Sequence, residues 1–156
     1  MKKLFILFIG ISSLTSCSSD DNKNNSINAP IVGEWTLTKL NSEMNLAGGI
    51  MQSRGEGKEY NAFMTFTELP NQVSSGGTVI LDQTIYMNGT PLSTNEDLIN
   101  LENTFGTGEW ELLGNTLTMS RQDSSVSVTV TKLTSNTLIF RYAPDETISI
   151  IYQFSK

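Results

Sequence analysis

The last third of the chain alternates between apolar and polar side chains with a period of two. Between residues 125 and 133, Val126, Val128 and Val130 fall on one side of an extended chain, and serine and threonine residues fall on the other. This alternation is typical of a strand with one buried face. The same criterion predicts eight strands, over residues 31–40, 62–68, 78–88, 108–113, 116–121, 125–133, 137–142 and 147–154.

Three segments interrupt the alternation. Residues 41–61 contain four glycines, and they predict a long connection in which residues 42–47 form one helical turn. Pro70-Asn71 and Gly76-Gly77 are expected to bound a turn. The sequence that begins at Thr94 resembles a helix capping box, and leucines follow it, so we expect a short helix near residues 95–103.

The spacing of these elements predicts the fold class. Only short connections separate the late strands, and short connections require antiparallel neighbours. One polar and one apolar face in each strand suit a closed barrel or a sandwich. We expect residues 31–156 to form one all-β domain, an eight-stranded antiparallel up-and-down barrel with a short helix.

The N-terminus has the order of a secretory signal. Lys2 and Lys3 are followed by an almost wholly apolar stretch, residues 4–11, and then by small and polar residues. A permanent membrane span needs about 20 apolar residues. The apolar stretch is much shorter, so we expect a signal peptide rather than a transmembrane helix.

The signal ends in Leu14-Thr15-Ser16-Cys17, which resembles the lipobox of bacterial lipoproteins. The resemblance implies a lipid on the Cys17 thiol and cleavage before Cys17, with residues 1–16 as the signal peptide. Cys17 is also the only cysteine of the chain, and a lone thiol in an exported protein calls for an explanation. The alternative is an ordinary signal peptide with an incidental cysteine.

Residues 17–30 predict the lipidated cysteine and a flexible tether, because this polar, asparagine- and serine-rich segment has no apolar periodicity. Its start, residues 18–21, is similar to the acidic export signal of surface-displayed lipoproteins in Bacteroidetes-type bacteria. The resemblance implies a lipid-anchored protein of the cell outer membrane, exposed at the surface if the signal is read. The alternative is that the two aspartates only keep the tether solvated.

Charge narrows the choice of partners. Without Lys2 and Lys3, the chain from Cys17 keeps eight basic residues and all 16 acidic ones, a formal charge of −8. An acidic chain without a basic run argues against nucleic acid and against anionic membrane surfaces as partners. The membrane is then expected to be a partner only through the lipid on Cys17.

A second resemblance concerns the folded domain. Gly33 and Trp35 open the first predicted strand, and Gly108-Glu109-Trp110 opens a later one. The first motif, followed by antiparallel strands, resembles the lipocalins; the segment 108–117 makes the chain more similar to the small lipocalin-like domains of Bacteroidetes lipoproteins. Lipocalins place a late arginine over the first-strand tryptophan, and Arg141 is the candidate for that position. Their middle-loop motif and disulfide are absent here.

The sequence gives little support for a catalytic function. The chain has no histidine, and Cys17 is assigned to the lipid. No nucleophile elbow, phosphate-binding loop or metal-spaced cluster occurs. Glu109 and Glu111 fall on one strand face opposite Trp110, and we expect both carboxylates to face solvent. The sequence therefore predicts a protein that is not an enzyme and has no cofactor or metal.

Function depends on what fills the barrel. An eight-stranded barrel is just wide enough to be packed with side chains or to hold one small ligand. The first hypothesis is that the barrel binds a small apolar or amphipathic molecule. The rival is a packed-core interaction or scaffold module that contacts another envelope protein or a glycan. The candidate lining residues are Trp35, Leu37, Phe66, Leu81, Trp110, Val128 and Phe140.

Overall fold

The computed structural model describes residues 31–156, which form nine strands and two short helical turns. The predicted signal peptide, Cys17 and the tether lie outside the described residues. The elements are β1 (Gly33–Leu46), a 3-10 turn (Ala47–Gly49), β2 (Met51–Thr67), β3 (Gln72–Met87), β4 (Thr90–Asn100), α1 (Leu101–Thr104), β5 (Thr107–Leu113), β6 (Thr116–Ser120), β7 (Ser125–Leu133), β8 (Thr137–Tyr142) and β9 (Ile148–Ser155).

All nine strands belong to one antiparallel sheet, in the order β2-β1-β9-β8-β7-β6-β5-β3-β4. Because β2 also pairs with β3, eight of the strands form a barrel-like ring. The shortest strand pairing in the ring joins β3 and β5, which share three residue pairs. The ninth strand, β4, continues the sheet beyond β3. The predicted all-β antiparallel barrel with a short helix is confirmed, with β4 as an addition.

The predicted loop over residues 41–61 is wrong. These residues form the second half of β1, a hairpin tip and the first half of β2. Two of the four glycines do make the turn, since Gly48 and Gly49 have φ of 66° and 90°. Gly55, in contrast, lies inside β2, where a Cβ atom would come within 2.6 Å of the Ser42 hydroxyl oxygen. This glycine therefore marks close packing between strands and not a loop.

The predicted helix near 95–103 is also largely wrong. Residues up to Asn100 belong to β4, and the helix is the single turn Leu101–Thr104. The cap is Asn100, whose side-chain oxygen accepts hydrogen bonds from the backbone N–H of Glu102 at 2.8 Å and of Asn103 at 3.3 Å. The capping signal predicted at Thr94 is therefore wrong, and the helix is capped six residues later, at Asn100.

The turn expected between Pro70-Asn71 and Gly76-Gly77 ends at Asn71, and the expectation is wrong for Gly76 and Gly77, because both lie inside β3. Gly77 has φ of 78°, and a Cβ atom there would lie 1.9 Å from the carbonyl oxygen of Asn61 on β2. The register between β2 and β3 shifts at this point, between Lys58 and Asn61. Glycine is therefore required by a bulge within the sheet.

Helix α1 brings two apolar side chains into the barrel. Leu101 and Phe105, at its two ends, are fully buried. The Phe105 ring packs edge-on against Phe140, Tyr142 and Tyr152, with centroid distances of 5.5, 6.2 and 5.1 Å. The connection between β4 and β5 thus places an aromatic side chain in the core of the barrel, while Glu102 and Asn103 of the same turn stay exposed.

The first-strand tryptophan lies at the base of the barrel. The Trp35 indole N–H donates to the carbonyl oxygen of Ile31 at 2.7 Å, and the ammonium of Lys156 lies 4.5 Å from the ring centroid. The cation over Trp35 is therefore Lys156, and the expectation that Arg141 takes this position is wrong. Arg141 is exposed on β8 and donates to the Ser149 hydroxyl at 2.8 Å.

The described residues contain a complete hydrophobic core. All of the buried apolar side chains, from Ile31 to Phe154, pack into one cluster. The ring of eight paired strands also lies within residues 31–156. The described residues therefore share one core and one sheet. No helix in this part of the chain is long and apolar enough to cross a membrane.

Candidate ligand groove at the open end of the barrel

The structure places six of the seven predicted lining residues in the core. These six (Trp35, Leu37, Phe66, Leu81, Val128 and Phe140) are at most 6 % exposed. They pack against the same cluster as Phe105 and Tyr152, and burial raises the pKa of the Tyr152 phenol. These side chains therefore fill the barrel with one another.

The seventh residue, Trp110, lies half-buried at the edge of this core. Its ring meets Phe66 edge-on at 5.9 Å, and its indole N–H donates to the carbonyl oxygen of Thr67 at 2.8 Å. Glu109 and Glu111 are exposed on the other face of β5, as the alternation predicts. The two carboxylates are therefore placed as surface groups beside a structural tryptophan.

An open groove lies at the end of β1 that is opposite to Trp35. There β1, β2 and β3 extend beyond the packed core. Its volume is about 190 Å³. Four of its seven lining residues are large and apolar, and the other three are uncharged polar residues. The lining consists of Met44, Leu46, Met51, Gln52, Ser53, Gln83 and Ile85.

Strand register assembles this surface from three strands. Met44 pairs with Ser53 across β1 and β2, and Ser53 pairs in turn with Ile85 on β3. Leu46 and Met51 form the next pair toward the hairpin tip. Directly paired residues project from the same face of a sheet. The inward face of the packed barrel therefore continues into the apolar wall of the groove.

Two methionines make this wall adaptable. Met44 and Met51 are unbranched and polarisable, so their side chains can adjust to ligands of different shape. Met51 and Leu46 are 36 % and 39 % exposed, so that they present apolar surface to solvent at the rim. Exposed apolar patches of this kind mark binding sites more often than isolated apolar residues do.

Two serine hydroxyls lie on the groove face of the sheet. Ser42 and Ser53 are each 7 % exposed, and no protein atom forms a hydrogen bond with either hydroxyl. Ser53 lines the groove, and Ser42, which pairs with Gly55, belongs to the next pair on the same face, two register positions further toward the core. Buried polar groups are normally hydrogen-bonded, so this pair needs a partner.

The charged side chains of the same strands lie on the outer face. Lys58 forms ion pairs with Glu96 and, at 3.5 Å, with Asp82. The hydrogen bond to Glu96 is the main reason that the pKa of Lys58 is raised. Arg54 lies over the Tyr86 ring at 5.8 Å. These contacts hold the charges of β2 and β3 away from the groove.

The groove cannot be predicted while residues 41–61 are interpreted as a loop. A usable signal is present in the sequence, since Met44 and Leu46 precede the Gly48-Gly49 turn with strand spacing, and Met51 and Ser53 follow it in the same way. Alternation on both sides of a glycine turn is typical of a hairpin. The small residues on the second strand obscure this signal.

Metal chemistry is not suggested by the described residues, because none of their acidic side chains form a group of three or more that could hold an ion. Comparison with known proteins adds no function. No protein-family model, curated protein or solved structure matches this chain.

Proposed function

We propose that this chain is a bacterial lipoprotein, held at the outer membrane by acyl chains on Cys17, whose barrel domain is a binding module and not an enzyme. Its ligand is a small apolar or amphipathic molecule. The binding site is the groove at the open end of the barrel, beside Met44, Met51 and Ile85.

The observation that carries this proposal is the apolar groove itself. A dry cavity of about 150 Å³ is enough to hold a benzene-sized molecule, and the groove measures about 190 Å³. Its walls come from three paired strands, which position them more firmly than loops would. A ring or a short alkyl chain therefore fits.

The packed interior supports the same location. Phe105 and Tyr152 lie among the side chains that the sequence proposes as a lining, with their ring centroids 5.1 Å apart. A ligand in the centre would have to displace buried aromatic rings, at a cost in packing. A ligand in the groove covers apolar surface at Leu46 and Met51 that is otherwise exposed to water.

The test is the binding of a neutral apolar dye, N-phenylnaphthylamine, to the domain of residues 31–156. We expect Met51→Glu to weaken dye binding at least tenfold, because the dye must then share the groove with a carboxylate that has no partner there. The matched control is Leu113→Glu, which places the same charge at an exposed leucine of β5. Equal dye binding by wild type and Met51→Glu would contradict this location.

A second candidate function rests on β4. In the described part of the chain, β4 pairs only with β3, so its other edge is free. Leu92 and Leu98 on this strand are 57 % and 69 % exposed. A free strand edge with exposed leucines favours an envelope protein that adds a strand to the sheet. In that case Leu98→Glu abolishes cross-linking to this protein in intact cells, whereas Met51→Glu leaves it unchanged.

A further inference from the structure

The lining of the groove contains polar side chains as well as apolar walls. All seven lining residues are uncharged. The polar groups among them are the amides of Gln52 and Gln83 and the hydroxyl of Ser53. Each of these groups can both donate and accept a hydrogen bond, and none can neutralise an ion.

The hydroxyls of Ser42 and Ser53 add a specific demand. Each is more than nine-tenths buried, and neither has a hydrogen-bond partner in the protein. Ser53 is also one of the seven residues that line the groove. A ligand with a hydroxyl or carbonyl group at one end can satisfy Ser53, while its apolar part lies against Met44 and Ile85.

The charge that strand register places on the same face is negative. Asp97 pairs with Leu81, and Asn95 pairs with the lining residue Gln83, so that Asp97 lies on the groove side of the extended sheet. The cations of this region, Lys58 and Arg54, contact acidic and aromatic groups on the outer face. A carboxylate or phosphate head group would lose water and gain no cation.

From these observations we infer that the ligand is a neutral single-chain amphiphile, such as a fatty alcohol or an acylglycerol, whose hydroxyl or carbonyl group hydrogen-bonds to Ser53. This inference rests on the proposed function, because it requires that the groove binds small amphiphiles. It adds that the groove discriminates against ionised head groups and recognises an uncharged one.

The experiment is competition between the dye and two probes of equal chain length, octanol and octanoate, on residues 31–156 at neutral pH. We expect octanol to displace the dye at a concentration at least tenfold lower than octanoate does. Ser53→Ala is expected to weaken octanol about fivefold, since one neutral hydrogen bond is lost, and to change octanoate little. The matched control is Ser125→Ala on the exposed end of β7, which leaves both affinities unchanged.

The outcomes separate the two proposals. If octanoate competes as well as octanol, the preference for a neutral head group is wrong and groove binding stands. If Ser53→Ala binds octanol as wild type does while retaining its fold by circular dichroism, the hydrogen bond to Ser53 is wrong. If neither probe displaces the dye and Met51→Glu does not weaken it, the proposed binding function itself fails.

Discussion

Replacing Phe105 by alanine is expected to lower the free energy of unfolding of the domain by about 3–5 kcal/mol. The side chain is fully buried, and it packs edge-on against Phe140, Tyr142 and Tyr152. Its removal loses the transfer free energy of the ring and these aromatic contacts. It also leaves a cavity that the surrounding strands cannot close, because hydrogen-bonded partners hold them in the ring.

Urea denaturation of residues 31–156 measures this loss. The matched control is Phe63→Ala, because Phe63 lies on β2 with 48 % of its surface exposed. We expect this replacement to lower the free energy of unfolding by less than half as much. A loss of under about 1 kcal/mol for Phe105→Ala would show that the Phe105 side chain does not stabilise the interior, since buried aromatic truncations cost several times more.

Replacing Cys17 by serine is expected to move the chain from the membrane fraction to the aqueous fraction of the cell. The lipobox resemblance implies a diacylglycerol with two acyl chains on this thiol and a third chain on the new α-amine, and each buried methylene contributes about 0.8 kcal/mol to membrane binding. Serine cannot form the thioether, so the lipid is lost. Fractionation measures the location of the chain, and labelling with a radioactive fatty acid measures the loss of the lipid.

The control for this experiment is Ser18→Ala, which alters the next residue and leaves the thiol in place. It is expected to keep the chain labelled and in the membrane fraction. Recovery of the Cys17→Ser protein in the membrane fraction, with label retained, would contradict the lipoprotein assignment.

Strands with one buried and one exposed face could be predicted closely from the sequence. The segments predicted at 125–133 and 137–142 coincide with the observed β7 and β8. In β7, Val128 and Val130 are buried while their neighbours Ser127 and Thr129 are exposed. The sequence of such a strand shows which residues are buried, because successive side chains face the core and water in turn.

The segments that were mispredicted have other environments. In β4, every residue from Thr90 to Leu98 is exposed, so no alternation develops and the residue types are those of a loop or a helix start. In β2, Gly55 and Gly57 are required by close packing against Ser42 and Leu40. Glycine marks turns and close approaches alike, and only the pairing of distant strands decides between them.

The candidate site also depends on contacts between distant strands, which the local sequence does not show. Alternation identified Trp35, Phe66 and Phe140 as inward-facing, and all three are buried. Whether inward-facing side chains surround a ligand or one another depends on the volume between them, and that volume is occupied by Phe105 from a segment with no strand pattern. The groove depends on the register between β1, β2 and β3, which is a long-range property of the fold.

The central claim is that ligand binds in the open-end groove while the barrel centre stays packed, and the methionine methyl groups test it most directly. Met44 and Met51 line the groove, whereas Met64 and Met119 are at most 1 % exposed inside the barrel. Labelled methionine methyls of residues 31–156 are followed by NMR during titration with octanol. We predict that the signals of Met44 and Met51 shift with saturation while those of Met64 and Met119 stay in place. Shifts at Met64 and Met119 with no change at Met44 and Met51 would contradict the account and place the ligand in the barrel centre.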